Sequence, residues 1–199
     1  MCIRDRNTGN KNGGGISTTG GSISLPQKLE LYGGRIKNNT IHVSSNENPS
    51  NPNAAGVSAN DKADVSIKGD ITITGNTDSQ GTSSNLLNKN TTSLIHILEE
   101  LTGSVGIANK INVGKKQIAD ADQGYRVTQG DLARILLDNE DLELRVFDNI
   151  IYICYPYVLT FSTGNYGTGA DYTEKVIDCL LYTSTKLRGA SFCKAQNHR

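Results

Sequence analysis

Few side chains in this chain can do acid–base, nucleophilic or metal chemistry, and they are scattered. Between residues 7 and 80 the carboxylates are Glu30, Glu47, Asp61, Asp64, Asp70 and Asp78. Cleaving a glycosidic bond needs two carboxylates a fixed distance apart. Asp61 and Asp64 are close in sequence, but NDKAD reads as a solvated turn, and Asp120 with Asp122 reads the same way. His42, His96 and His198 are far apart and lack the spacing of metal ligands. His42, between Ile41 and Val43, is expected to point outward from a strand. His96, between Ile95 and Ile97, is expected to face solvent or a local partner. Cys2, Cys154, Cys179 and Cys193 form no C-x-x-C pair, which removes support for zinc-ribbon and thioredoxin-type sites. A Cys154–Cys179 disulfide is one reading; free or buried thiols are preferred. GNKNGGG at 9–15 lacks the Lys-Ser/Thr ending of a phosphate loop, GNYGTG at 164–169 has no helix directly behind it, and no D-x-[DN]-x-[DN]-G calcium loop is present. Asn38 and Asn90 begin N-x-T sequons, which matter only in a host that glycosylates them. The expectation is therefore no catalytic, cofactor-binding or metal residue, and no cofactor.

Charge and composition narrow the partners. Lys plus Arg and Asp plus Glu are balanced at 20 each, so long-range attraction to nucleic acid or an anionic membrane is weak. No apolar run reaches the 18 residues of a membrane span. Met1 to Arg6, MCIRDR, is charged and leads into NTGNKNGGG without the apolar stretch of a signal peptide. Any export signal is expected to lie upstream. That hexapeptide, like CLLYTS at 179–184, resembles read-through of a sequencing adapter in assembled environmental DNA, and both ends are expected to carry little structure.

The segments that would position any site are short. Glycine numbers 21 and asparagine is nearly as frequent; both tolerate left-handed backbone and favour tight turns. Disorder is the rival reading for the first ninety residues. Apolar pairs at i, i+2 recur, however, at Ile23 and Leu25, Leu29 and Leu31, Ile41 and Val43, Val65 and Ile67, and Ile71 and Ile73. That spacing is strand-like. Gly15-Ile16-Ser17 matches Gly56-Val57-Ser58, 41 residues on, and Arg35 to Thr40 matches Thr72 to Thr77, 37 residues on. A period of this size signals stacked units. Strands six to eight residues apart leave no room for βαβ crossovers. A β-sandwich would accommodate them, but coils stacked in parallel explain more. Asn39 and Asn76 are candidates for a side-chain ladder along the stack, with simple turn closure as the equal alternative. The polar SSNENPSNPN at 44–53 reads as an outward loop, and Asn85-Leu86-Leu87 as another short strand. Leu94, Ile97, Leu98 and Leu101 fit a helical stripe, although SLIHIL also fits a buried strand. Thr128 can cap a helix with Asp131 at its third position and Leu132, Ile135 and Leu136 on one face, ending near Asp138-Asn139. Leu142–Val146 and Ile150–Cys154 read as a hairpin turning at Asp148-Asn149.

The phrases GGGIS, LELYGGRIKNNT, ITITGNTDSQGTSSNLL and LTGSVGIA, followed by VTQGDLARILLDNEDLELRVFDNIIYI, resemble a family of bacterial surface proteins with right-handed parallel β-helix repeats. The resemblance spans about residues 12–154. It weakens in the second unit, where Lys68-Gly69-Asp70 replaces Tyr32-Gly33-Gly34 and Ala54-Ala55-Gly56 replaces Gly13-Gly14-Gly15. It implies a mostly β fold: a short parallel β-helix over 12–110, with a linker, helix and β-hairpin cap over 111–155. Residues 156–178 resemble the truncated start of a small β-rich repeat, carried by Leu159-Thr160-Phe161 and Gly164–Gly169, and 179–199 are expected to be an unstructured or foreign tail. The function implied is a non-enzymatic scaffold or adhesin-like segment, extracellular or at the cell surface, with extracellular glycans or host and matrix proteins as partners. The alternatives are a β-helical polysaccharide lyase or hydrolase, or a carbohydrate-binding module.

Overall fold

The alternating apolar pairs form strands of two to seven residues, too short to bury anything alone. The structure, a computed structural model, describes residues 3–9, 14–18, 26–42, 53–89, 93–109, 115–122, 124–161 and 172–177. In chain order the strands are β1 (Ile3–Asp5) and β2 (Thr8–Gly9), then β3 (Ile16–Ser17), β4 (Gln27–Leu31), β5 (Gly34–Lys37) and β6 (Thr40–Ile41). A corresponding series follows: β7 (Val57–Ala59), β8 (Ala63–Gly69), β9 (Ile71–Thr74) and β10 (Thr77–Asp78). Then come β11 (Leu86–Asn88), β12 (Ile95–Leu101), β13 (Val105–Ile107) and β14 (Lys115–Ala121). Corresponding strands pair in parallel, in three walls. One wall runs β4-β8-β12-β14, a second runs β2-β6-β10, and a curled sheet runs β1-β5-β9-β13-β11-β7-β3. At β13 the corner made by β6 and β10 is missing, so Val105 pairs with Ile73 while Ile107 pairs with Leu86. The fold is thus mostly β, with parallel strands in curled sheets, compatible with a β-helix-like architecture.

Register explains the core. Ile36 lies on Ile73, which lies on Val105, which lies on Ile135. Leu29, Val65, Ile95 and Ala119 form a second inward row; Leu31, Ile67 and Ile97 form a third. The central members are fully buried, while Leu29 and Ile16, on outer strands, are only partly covered. Each strand adds one or two side chains per wall, so burial comes from stacking. The pairs aligned by sequence, Ile16 with Val57 and Thr40 with Thr77, face each other across neighbouring strands.

A buried amide ladder runs along one corner. Nδ2 of Asn7 donates to Oδ1 of Asn39 (2.9 Å), Asn39 to Asn76 (2.8 Å), Asn76 to Asn85 (2.9 Å), and Asn85 to the Asp138 carboxylate (2.6 Å). Each acceptor side chain also takes the preceding member's backbone N–H. Of the two readings open for Asn39 and Asn76, the ladder is the one observed. Arg6, Asn38 and Gly75 adopt φ of 52°, 55° and 67°, so the same left-handed corner precedes Asn7, Asn39 and Asn76. The ladder also accounts for the glycines beside it, Gly15 before β3, Gly56 before β7 and Gly106 within β13. A Cβ on Gly15, Gly56 or Gly106 would stand 3.1, 2.8 or 2.5 Å from the Nδ2 of Asn39, Asn76 or Asn85.

Of the two readings open for Leu94–Leu101, the strand is the one observed: β12 runs Ile95–Leu101, with Ile95 and Ile97 buried and His96 alternating outward. Two expectations are corrected. The helix α1 spans only Gln129–Arg134, and Ile135–Leu137 continues as β15, parallel to β13. The free edge of β13 offers ladder hydrogen bonds that a longer helix would forgo, and Leu136 is left exposed. Residues 3–5, expected to lack structure, form β1 on the edge of β5. The Thr128–Asp131 capping box is present as expected. The hairpin of β16 (Glu143–Phe147) and β17 (Ile150–Cys154) turns at Asp148 and Asn149, both with positive φ. β17 joins β14 antiparallel, so the hairpin extends that wall. Beyond it, β18 (Pro156–Phe161) and β19 (Tyr172–Ile177) form a separate antiparallel pair. Cys154 is buried. Cys2, Cys179, Cys193, His198, Glu47, Asn90, the 44–52 loop, the 164–169 turn and the 179–199 tail lie outside the described residues.

Candidate functional site

The outer face of the β4-β8-β12-β14 wall gathers the polar side chains that alternate with the inward apolar rows. Glu30, Ser66, His96 and Asp120 stand in register on four successive strands. Asp120 reaches this face because β14 has a register shift between Gln117 and Ala119, which sets Ala119 inward and the next residue outward. Asp64 lies on β8 beside Ser66, and Ser93 just precedes β12.

These residues make one hydrogen-bonded cluster. His96 Nδ1 lies 2.7 Å from Asp120 Oδ1, and Nε2 lies 3.1 Å from Asp64 Oδ1 and 3.3 Å from Ser93 Oγ. Ser93 Oγ is itself 3.3 Å from Asp64 Oδ1. The Ser93 main chain is held by Asn88, whose Nδ2 donates to its carbonyl at 3.1 Å. All members are half-buried, which weakens water's screening without burying uncompensated charge. Two carboxylates flank one imidazole, Asp120 at Nδ1 and Asp64 at Nε2. The order carboxylate, imidazole, hydroxyl is that of an activated serine. A cleft of about 210 Å³ opens beside it, lined by Asn88, Ser93, Leu94, Asn109, Lys116, Gln117 and Ile118.

The carboxylates read from sequence as solvated turns divide here. Asp61 is an exposed turn residue, whereas Asp64 and Asp120 are strand residues bound to His96, and neither belongs to a turn. His42 is exposed, as its alternation suggested, and His96 has local partners. Sequence reading missed the constellation because Ser93, His96 and Asp120 meet only through inter-strand register. The available signal was a polar residue between apolar neighbours, His96 in IHI and Asp120 in ADA. Among the described residues no group of three or more His, Cys, Asp or Glu is arranged to hold a metal ion, and no helix is long and apolar enough to cross a membrane. No protein-family model, curated protein or solved structure matches the chain.

Proposed function

We propose that this chain is a segment of a right-handed parallel β-helix serving as a scaffold or adhesin-like stalk in a bacterial cell-surface or secreted protein. The supporting observation is in-register parallel stacking of residues 37 apart, Ile36 on Ile73 and Thr40 on Thr77, locked by side-chain amides of the same corner. Such a stack grows by adding coils and offers long, laterally polar walls, the property a stalk needs. Charge balance and the polar outer rows suit hydrogen bonding to extracellular glycans or to host or matrix proteins better than electrostatic capture of nucleic acid.

A polysaccharide lyase or hydrolase is disfavoured because Asp64 and Asp120 are both engaged by His96. A carbohydrate-binding module of sandwich type is disfavoured by the parallel pairing. A glycan and matrix-protein array, combined with an assay for polysaccharide chain cleavage, tests the reading. Binding without depolymerisation is expected. Depolymerisation abolished by Asp61→Asn or Asp64→Asn would overturn it.

A further inference from the structure

We propose that Ser93, His96 and Asp120 form an acyl-transfer site that hydrolyses small carboxylic esters, an activity separate from the scaffold role and independent of where the protein resides. Three observations converge. Asp120 sits 2.7 Å from Nδ1, and across the ring Nε2 lies 3.3 Å from Ser93 Oγ, with Asp64 Oδ1 at 3.1 Å from the same nitrogen. That separation is at the long end for a resting nucleophile–base pair and within the looser range of unliganded sites. Ser93 forms part of the wall of a 210 Å³ cleft, space for an acyl group of a few carbons. Lys116, lining the same cleft, is the cation available to a developing oxyanion.

The chemistry balances without a further reactant. Ser93 Oγ bonds to the ester carbonyl carbon as its proton passes to His96 Nε2. The carbon–oxygen bond to the alcohol breaks, and the alcohol leaves with that proton. Water then attacks the acyl-serine, gives a proton to Nε2, and the acid departs as the proton returns to Oγ. Asp120 positions the imidazole and stabilises its charged form. Asp64 Oδ1, 3.1 Å from Nε2 and 3.3 Å from Oγ, competes for the serine proton in the resting state and faces the imidazolium once it forms.

The test is labelling of the full chain with an alkyl fluorophosphonate, mapped by mass spectrometry, with p-nitrophenyl acetate turnover alongside. The expected result is a single adduct on Ser93. Ser93→Ala should abolish it. His96→Ala and Asp120→Asn should each slow it by roughly 100-fold or more, the scale of general-base catalysis. Asp120→Glu should restore part of the Asp120→Asn loss, which a merely structural carboxylate would not do. An unlabelled Ser93 in folded protein, undiminished total labelling in Ser93→Ala, or loss of labelling with Asp64→Ala but not with His96→Ala would overturn the assignment. Circular dichroism of each variant separates lost chemistry from lost fold; if His96→Ala unfolds, Ser93→Ala and the Asp120→Asn and Asp120→Glu pair still decide.

Discussion

At the scale of single residues, the stack depends on polar groups that the core surrounds. Asn76 is fully buried; its side chain accepts from the Asn39 backbone and amide and donates to Asn85 and to the Ile36 carbonyl. Truncating it leaves several of these groups without partners, and each buried unsatisfied group costs about 1–3 kcal/mol. Asn76→Ala should therefore lower stability in urea unfolding by at least about 2 kcal/mol. Gly56→Ala brings the same corner into collision, because its Cβ would stand 2.6 Å from the Asn85 carbonyl oxygen and 2.8 Å from Asn76 Nδ2. A cost of about 1–3 kcal/mol is expected there. A loss below 0.5 kcal/mol in either variant would show that the corner is looser than described.

Asp131 illustrates a second buried polar device. Burial pushes its carboxyl up, but the N–H groups of Leu101 and Thr128 and the hydroxyls of Tyr125 and Thr128 outweigh that and hold it below the usual carboxylate range. Tyr125 is pushed up to about 12, first by burial, then by its hydrogen bond to Asp131 and the charge there. Asp131 has its lower pKa in the folded state. It therefore contributes stability above the unfolded carboxylate value, and that contribution fades as pH falls through the folded one. Tyr125 has its higher pKa in the folded state. Its contribution is full below the unfolded tyrosine value and fades as pH rises towards 12. Urea midpoints should be insensitive to this pair between roughly pH 5 and 9. Asp131→Asn should remove part of the acid-side slope; an unchanged slope would mean that the network does not hold Asp131 charged.

At the scale of elements, alternation was legible and continuation was not. The pairs Leu29 with Leu31, Val65 with Ile67 and Ile71 with Ile73 announce strands because each alternates apolar and polar residues. Ile36 and Ile73, matched in sequence by the 37-residue spacing of Arg35–Thr40 and Thr72–Thr77, are direct Cα partners. Ile73→Asp places an unpaired charge at a fully buried site and should cost several kcal/mol, on the order of 3 or more, read as loss of the cooperative transition. Leu94–Leu101 was ambiguous because its apolar residues satisfy both periods, and pairing with β8 and β14 decides in favour of a strand. Ile135–Leu137 was misread because a helical stripe says nothing about a free strand edge nearby. The Ser93–His96–Asp120 arrangement was illegible for a related reason. It depends on a register shift in β14 and on which strands neighbour each other, neither of which a local window contains.

At the scale of the molecule, the two ends of the stack differ. Toward the C-terminus the amide ladder reaches the Asp138 carboxylate, which accepts from both the backbone N–H and the side-chain amide of Asn85. The wall carrying the candidate site is extended on that side by antiparallel β17 and β16 in place of another parallel strand. Phe147, 67% exposed, sits at the hairpin's outer tip. Toward the N-terminus β4 has one strand neighbour among the described residues, and Ile16 and Leu29 are only partly covered. Such an edge favours pairing with further strands. The repeated glycine, left-handed corner and asparagine were visible in sequence as recurring words; their joint purpose appears only when the coils are superposed.

Parallel in-register stacking is the claim on which the core, the ladder and the candidate site all rest. The most direct measurement is a set of long-range nuclear Overhauser effects on isotope-labelled protein across β5 and β9 and across β6 and β10. The expected result is the parallel backbone pattern, with contacts linking the Ile36 and Ile73 positions and the Thr40 and Thr77 positions. Close Hα–Hα contacts of antiparallel pairing between these strands, or no contact between residues 34–41 and 71–78, would contradict it.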